Sequence, residues 1–405
     1  MAGDPGARPR LLVLGAGPAQ LGLLEAARGR HDVQVIAVDR DAGAPGFPLA
    51  DERAVLSSED EEAIDRLARA RAVDGIVSPG ADWPVGIAAR VAERIGLRHP
   101  IDARTGVVAT SKARQREVFA EGGVPHPPLV DPRDPDVELP VVVKAPDRQG
   151  QRGLTLVRSR AELEPALATA RAESRSGTVL VERLVEGPEL TVNAFSVDGR
   201  FTPLIVTDRL TAEPPAFGVA LAHVWPSVHD AGAAAEAARK AVEAVGIRNG
   251  PSYTQVRLGK EGPVVMEVAA RVGGGHDAEL CKAAIGVDLN QLTIQAALGE
   301  SVSETDLSWC QARSHVPAGR GAAVVFLVPP VGRLLEVEGI ESAEAVDGVR
   351  WVRVYRQPGH VFGPLRRGAD RAGAVLATGP TRDEALERAR RAADAVRFRV
   401  DADAP

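Results

Sequence analysis

The sequence predicts a multidomain α/β chain that opens with a doubly wound, parallel α/β domain. Three observations carry this expectation. Short apolar runs alternate with helical stretches over roughly the first hundred residues, as βαβ units require. Further on, paired strand-like runs flank Asp198-Gly199, a strong signal for an antiparallel hairpin. The 405 residues are also enough for two or three domains.

In chain order, Leu11–Leu14 is the first strand, followed by the glycine turn Gly15-Ala16-Gly17-Pro18-Ala19-Gln20-Leu21-Gly22 and a helix to Arg28. Val33–Val38 and Gly75–Val77 are further strands, and Pro84–Ile95 is a helix that stops at Gly96. Thr110 or Ser111 caps the next helix, since a short hydroxyl side chain can accept from its first free backbone N–H groups. Gly122-Gly123 end that helix, and Pro125, Pro127 and Pro128 mark a hinge because proline forbids its continuation.

Val141–Lys144, Leu154–Val157 and Thr178–Glu182, with a helix over Ala161–Ala172, form a small α+β block. Leu190–Ser196, Phe201–Val206, Tyr253–Leu258 and Val264–Val268 are strands of a central antiparallel region. Asp230–Val245, Ala278–Ile285 and Leu289–Leu298 are its helices. Strands Ala322–Val328 and Trp351–Tyr355 and the helix Thr381–Val396 make a C-terminal α+β extension. The expected divisions are residues 1–108, 109–300 with a small lid at about 125–185, and 301–405.

Bulk properties narrow the function. A net charge of −6 with no basic block argues against a nucleic-acid partner, while small phosphorylated molecules remain open. Cys281 and Cys310 stand without a CxxC or a Cys/His cluster. That argues against a disulfide framework or structural zinc, and fits a reducing, cytoplasmic setting. No run approaches ~20 apolar residues, so no membrane association is expected.

The most informative stretch is Val264–His276, VVMEVAARVGGGH, which puts one carboxylate, Glu267, inside an apolar strand. A buried carboxylate is costly unless a cation accompanies it. If the Gly259–Pro263 loop is centred on Glu261, Gln255 and Glu267 are equidistant from the turn and point to one face. Two oxygen donors side by side suit a hard cation such as Mg²⁺, and equally suit a cross-strand hydrogen bond on a wet edge. Arg271 and the Gly273-Gly274-Gly275 turn offer a guanidinium and open backbone N–H groups to anionic oxygens.

Lys144 ends a strand before Asp147–Gly153, whose glycines let a loop fold over phosphates, although no Walker-type GKS or GKT is present. The stretch from Glu182 through Leu184 to Glu189 can present strand backbone to a purine edge and a carboxylate to ribose; it is also compatible with surface glutamates around a turn. Near the N-terminus, GAGPAQLG with Asp39 is a partial dinucleotide fingerprint, with Gln20 at the third glycine position.

In this order the motifs resemble those of the ATP-grasp superfamily, in its carboxylate–amine ligase branch, over nearly the whole chain. The resemblance implies an ATP-grasp fold, with the nucleotide bound by Lys112, Lys144, Gln149, Gly150, Gly153, Glu182, Leu184 and Glu189. It implies metal ligation by Glu267 and Gln255, and a catalytic role for Arg271 with Lys144. His276, Gly274 and Arg320 are candidates for contact with a carboxylate or amine substrate.

The implied cofactors are ATP and Mg²⁺, with Mn²⁺ as a substitute, and a homodimer is common among such relatives. One departure is that the family's E-x-N metal motif reads Glu267-Val268-Ala269 here, with Asp277 or Glu279 as possible compensation. The implied reaction is activation of a small carboxylate as an acyl phosphate, then capture by an amine. Alternatives are a carboxylase or carbamoyl-phosphate-type enzyme, a non-catalytic nucleotide-binding protein, and an NAD-linked oxidoreductase that uses the N-terminal turn.

Overall fold

The computed structural model describes residues 8–303, 306–307 and 320–402; Cys310 lies outside them. The N-terminal domain is a four-stranded parallel sheet in the order β3-β2-β1-β4. Its elements are β1 (Arg10–Leu14), α1 (Leu21–Arg28), β2 (Gln34–Asp39), β3 (Glu52–Val55), α2 (Glu61–Ala70), β4 (Gly75–Val77) and α3 (Trp83–Ile95). Leu11 and Val13 pack towards α1, while Leu12 and Leu14 pack towards α2 and α3. This two-sided burial is why β1 reads as a continuous apolar run.

Helices α4 (Ala103–Ala109) and α5 (Lys112–Glu121) lead to a small three-stranded antiparallel sheet with strand order β6-β5-β7. It comprises β5 (Val141–Lys144), β6 (Thr155–Val157), α6 (Arg160–Glu173) and β7 (Leu180–Arg183), and has its own core of Val141, Val143, Val157 and Leu163.

The centre of the molecule is an eight-stranded sheet in the order β12-β11-β8-β9-β10-β13-β17-β15. Its first part holds β8 (Glu189–Val197), β9 (Arg200–Thr211), β10 (Ala220–Trp225), α7 (Ala231–Val245), β11 (Gly250–Gly259), β12 (Gly262–Ala269), α8 (Asp277–Ile285) and α9 (Leu289–Ala297). After residue 320 come β13 (Gly321–Leu327), β14 (Gly332–Glu338), α10 (Ile340–Glu344), β15 (Val349–Val354), β16 (Val361–Phe362), β17 (Gly373–Gly379), α11 (Arg382–Ala395) and β18 (Arg397–Asp401). β13, β15 and β17 extend the central sheet, whereas β14, β16 and β18 form a separate one.

Strand alternation sorts the central sheet into two chemistries. Leu190, Val192, Val256, Val265 and Val268 lie in the core under α7. The residues between them (Glu189, Thr191, Asn193, Gln255, Arg257 and Glu267) point to the other face, joined by Thr207 and Arg209 on β9 and His223 on β10. That polar face is the floor of the site.

Some elements escape the sequence reading. β3 (ERAV) is a four-residue edge strand that opens with two charged residues, β10 (ALAHVW) carries two alanines, and β17 (GAVLATG) is rich in alanine and glycine, residues with little strand propensity of their own. The β11–β12 connection is also tighter than the five-residue loop expected: Gly259 pairs with Gly262 around Lys260-Glu261.

Candidate functional site

The polar face of the central sheet and the small three-stranded block meet at a crevice. It is lined by Lys112, Lys144, Gln149, Gly150, Glu182, Leu184, Glu189, Gln255 and Glu267, all expected to act together. Gly153 adjoins it at the end of the loop, with φ +68°, a conformation that favours glycine. Seven lysines and arginines but only three carboxylates line this crevice among the described residues, so it favours a polyanion.

Helix α5 places two of these cations. Ser111 caps it, its Oγ accepting from Arg114 N at 3.5 Å, and Lys112 follows at the first helical position. Lys112 Nζ lies 2.7 Å from Glu267 Oε2 and donates to the Arg148 carbonyl at 3.0 Å. One helical turn on, the buried Arg116 donates to Glu182 Oε1 and to the Met266 carbonyl, both at 2.7 Å. Lys144, at the end of β5, pairs with the other Glu182 oxygen.

One buried acid is thereby shared by two cations. Burial opposes ionisation of Glu182, but Lys144 and Arg116 outweigh it and hold the carboxyl below its usual range. Burial also pushes Lys144 down to about 8, and Arg116 adds to the effect. Two cations facing one acid leave the trio with a surplus positive charge. Glu182 therefore anchors cations with its carboxylate.

Glu189 is held by Arg209 at 2.6 Å and Arg257 at 3.0 Å, its cross-strand neighbours on the polar face. Glu267 lies directly opposite Gln255, as expected. Burial raises its carboxyl, yet Lys112, with Arg271 and Lys144 behind it, holds it well below the usual range. Gln255 donates through Nε2 to the Tyr253 hydroxyl at 3.4 Å, which leaves its carbonyl oxygen for another partner. The crevice encloses about 90 Å³ and shares Leu184, Glu189, Arg209, Phe217 and Arg257 with an adjoining cavity of about 600 Å³.

Arg271 reaches the N-terminal domain, where its Nε and Nη2 lie 2.7 and 2.5 Å from Asp82 Oδ1. Gly274 packs against Gly80 and Ala19, so close that an added Cβ would lie 3.0 Å from the Gly80 carbonyl oxygen. His276 is buried against Trp351 and Phe326, with Nδ1 3.0 Å from Glu279 and Nε2 2.5 Å from the Tyr355 hydroxyl. Arg353 bridges Glu279 to Glu25 of α1. Arg320 is exposed and faces a different cavity, of about 650 Å³, together with Glu279 and Arg353. His276 and Arg320 are thus linked through Glu279, Trp351 and Arg353, which touch the histidine and line the Arg320 cavity, while Gly274 packs on the N-terminal domain.

Asp277 and Glu279 do not replace the missing asparagine of the metal motif. Asp277 accepts from Asn193 and Gly275, and Glu279 is held by His276 and Arg353. Among the described residues no group of three His, Cys, Asp or Glu side chains is placed to hold a metal ion. What remains is the Glu267–Gln255 pair, two oxygen donors on one face, which fits a cation that takes its other ligands from phosphate and water.

The N-terminal turn is built differently from a dinucleotide site. Gln20 folds back over Gly15 and donates to the Pro79 carbonyl at 2.6 Å. Asp39 accepts from the backbone of Ala16 and Asp41, so its carboxylate is engaged within the turn.

Arg116, Arg209, Arg257 and Asp82 were not among the expected residues. Arg116 lies four residues beyond Lys112, a spacing that puts both on one helix face. Arg257 follows from two-residue alternation along β11 from Gln255, whereas Arg209 does not, because a bulge at Leu204 shifts the β8–β9 register by one residue beyond the Asp198-Gly199 hairpin. Nothing local marks Asp82.

Comparison with known proteins bears on the fold and the family. Residues 137–279 match the ATP-grasp domain family, and residues 325–401 match the L-amino acid ligase C-terminal domain 2. The chain is 30% identical over 412 residues to a formate-dependent phosphoribosylglycinamide formyltransferase of Burkholderia thailandensis, covering 96% of this chain and 95% of that protein. It is 24% identical over 229 residues to dapdiamide A synthase of Enterobacter agglomerans, covering 55% of this chain and 53% of that protein. An uncharacterized Sinorhizobium fredii protein, y4rH, is 29% identical over 72% of this chain and 61% of its own length. The chain thus spans only half to three-fifths of these last two relatives. Among solved structures, an L-amino acid ligase from Bacillus licheniformis superposes with a TM-score of 0.83 at 21% identity, covering 98% of this chain and 99% of that one.

Proposed function

The chain belongs to the ATP-grasp family, and on that footing we propose that it is an ATP-dependent ligase joining a small carboxylate, an amino acid or similar acid, to an amine. The observation that carries this reading is the crevice itself. Lys112, Lys144, Glu189, Gln255 and Glu267, drawn from five separate segments, converge under the loop Gln149–Arg152 with an excess of positive charge.

In this reading the substrate carboxylate attacks the γ-phosphate of ATP, giving an acyl phosphate and ADP. The amine then displaces phosphate and loses a proton as the amide forms. Phosphoryl transfer is largely a matter of positioning and charge stabilisation. Lys112, Lys144 and Arg271 neutralise the transferring phosphate, and Glu189 meets the ribose hydroxyls. Glu267 and Gln255 would hold Mg²⁺, which supplies charge neutralisation across the phosphates when bound. His276, Gly274 and Arg320 remain the candidates for substrate contact.

No helix among the described residues is long and apolar enough to cross a membrane. The test is thermal stability with MgATP against NADPH, followed by phosphate release with amino acids offered in pairs. Stabilisation by MgATP alone, with release dependent on both partners, is expected. Stabilisation by NADPH alone would overturn the proposal.

A further inference from the structure

The flap Asp147–Gly153 carries Asp147, Arg148, Gln149, Gln151 and Arg152 around its two glycines, and its side chains are engaged at its base and at its tip. The Asp147 carboxylate accepts from the Arg175 backbone at 3.1 Å, the Ser176 backbone at 2.8 Å, and the Ser174 and Ser176 hydroxyls. Arg175 Nη1 returns a hydrogen bond to the Asp147 carbonyl at 2.8 Å. Flap base and Arg175 segment are therefore tied into one body.

That body rests on the N-terminal domain at two points. The Arg175 guanidinium lies 4.5 Å from the centre of the Trp83 ring and 2.5 Å from Glu59. The Gln149 side-chain oxygen accepts from the Asp82 backbone N–H. Asp82 is the residue whose carboxylate holds Arg271. A single turn at the start of α3 thus touches the flap tip, the lid body and the arginine next to the crevice.

We propose that Glu59, Asp82 and Trp83 form a docking seat for the lid, and that Arg175 and Gln149 are positioning residues that close it. Seating the lid and aiming Arg271 become one event, because Asp82 takes part in both. A cation stacked on an indole and paired with a carboxylate gives the seat a preferred occupant that a glycine flap would lack. The inference rests on the nucleotide-binding reading above.

The seat holds the lid down, so its loss acts on nucleotide escape more than on capture. The experiment is stopped-flow binding of Mg²⁺ with an ATP analogue bearing a fluorescent 2-aminopurine base. Arg175→Ala is expected to raise the dissociation rate at least tenfold and change the association rate less than threefold, with the nucleotide-free protein still folded by circular dichroism. Glu59→Gln, at a position 40% exposed and so tolerant of change, should move the dissociation rate in the same direction. The exchange Glu59→Arg with Arg175→Glu should recover part of the slow release.

Dissociation rates within twofold of wild type in both single variants would overturn the seat while leaving the nucleotide site standing. Failure of the wild-type protein to bind the analogue at all would instead remove the reading on which the seat rests.

Discussion

Gln255 stands directly opposite Glu267 because Met266 is an extra residue in the β11–β12 ladder. From Gly259–Gly262 to Val256–Val265 the strands pair regularly around a two-residue turn; the ladder then passes over Met266. The bulge keeps Val265 and Val268 in the core while Met266 and Glu267 both face the crevice. The Met266 carbonyl accepts from Arg116, so the irregularity is fastened to the cation array it helps to place.

Replacing Glu267 with glutamine keeps its shape and removes its charge. If the carboxylate holds the cation across the phosphates, ADP release should fall at least ~100-fold, about 3 kcal/mol of lost transition-state stabilisation. The check is steady-state ADP release alongside a melting curve. Near-normal turnover in a folded Glu267→Gln protein would take Glu267 out of this role.

The charge on Lys144 predicts how binding varies with pH. Its folded pKa, about 8, lies below the unfolded value near 10.5. The lysine is protonated in both states below pH 8. As pH rises from about 8 towards 10.5, the folded protein gives up this proton first, so the burial penalty is relieved and stability gains. Nucleotide binding follows the opposite course, because a neutral amine no longer attracts phosphate. The Kd for MgATP, measured by calorimetry, should rise by up to ~10-fold per pH unit above pH 8. Lys144→Arg, which does not titrate there, should flatten the curve.

Arg116 competes with Lys144 for Glu182, so Arg116→Met should move the pH break of MgATP binding upward. The same change removes one partner of a buried acid. Breaking such a pair costs about 3–5 kcal/mol, and less here because Lys144 remains. A melting curve and a repeat of the pH series separate the two effects. An unmoved break in a folded variant would mean that Arg116 does not set the charge on Lys144.

Much of this site was legible in the sequence because its residues lie next to strong local signals. Lys144 ends a β-branched strand, Lys112 follows a capping serine, Glu189 opens a strand directly after Gly187-Pro188, and Glu267 interrupts an apolar run. Even where the expected five-residue loop was too long, the Gln255–Glu267 pairing came out right because the bulge supplies the missing residue. Asp82 was illegible for the opposite reason: its partners, Arg271 and Gln149, are 189 and 67 residues away. Local pattern carries no record of such contacts. His223 was hidden likewise, since only the pairing of β10 with β9 brings it beside Arg209 on the polar face.

Ala269, where the ATP-grasp motif has an asparagine, lies on the same face as Glu267 and directly opposite Tyr253. Both residues are buried, and the Tyr253 ring sits 5.5 Å from the Arg271 guanidinium, so the tyrosine fills the side of the site that an asparagine would need. Ala269→Asn alone should therefore overpack, costing about 1–3 kcal/mol in a melting curve without lowering the Mg²⁺ concentration for half-maximal ADP release. Pairing it with Tyr253→Thr makes room, and that double variant should need less Mg²⁺. If Ala269→Asn alone lowered the Mg²⁺ requirement at unchanged stability, Tyr253 would not be what keeps the third ligand out.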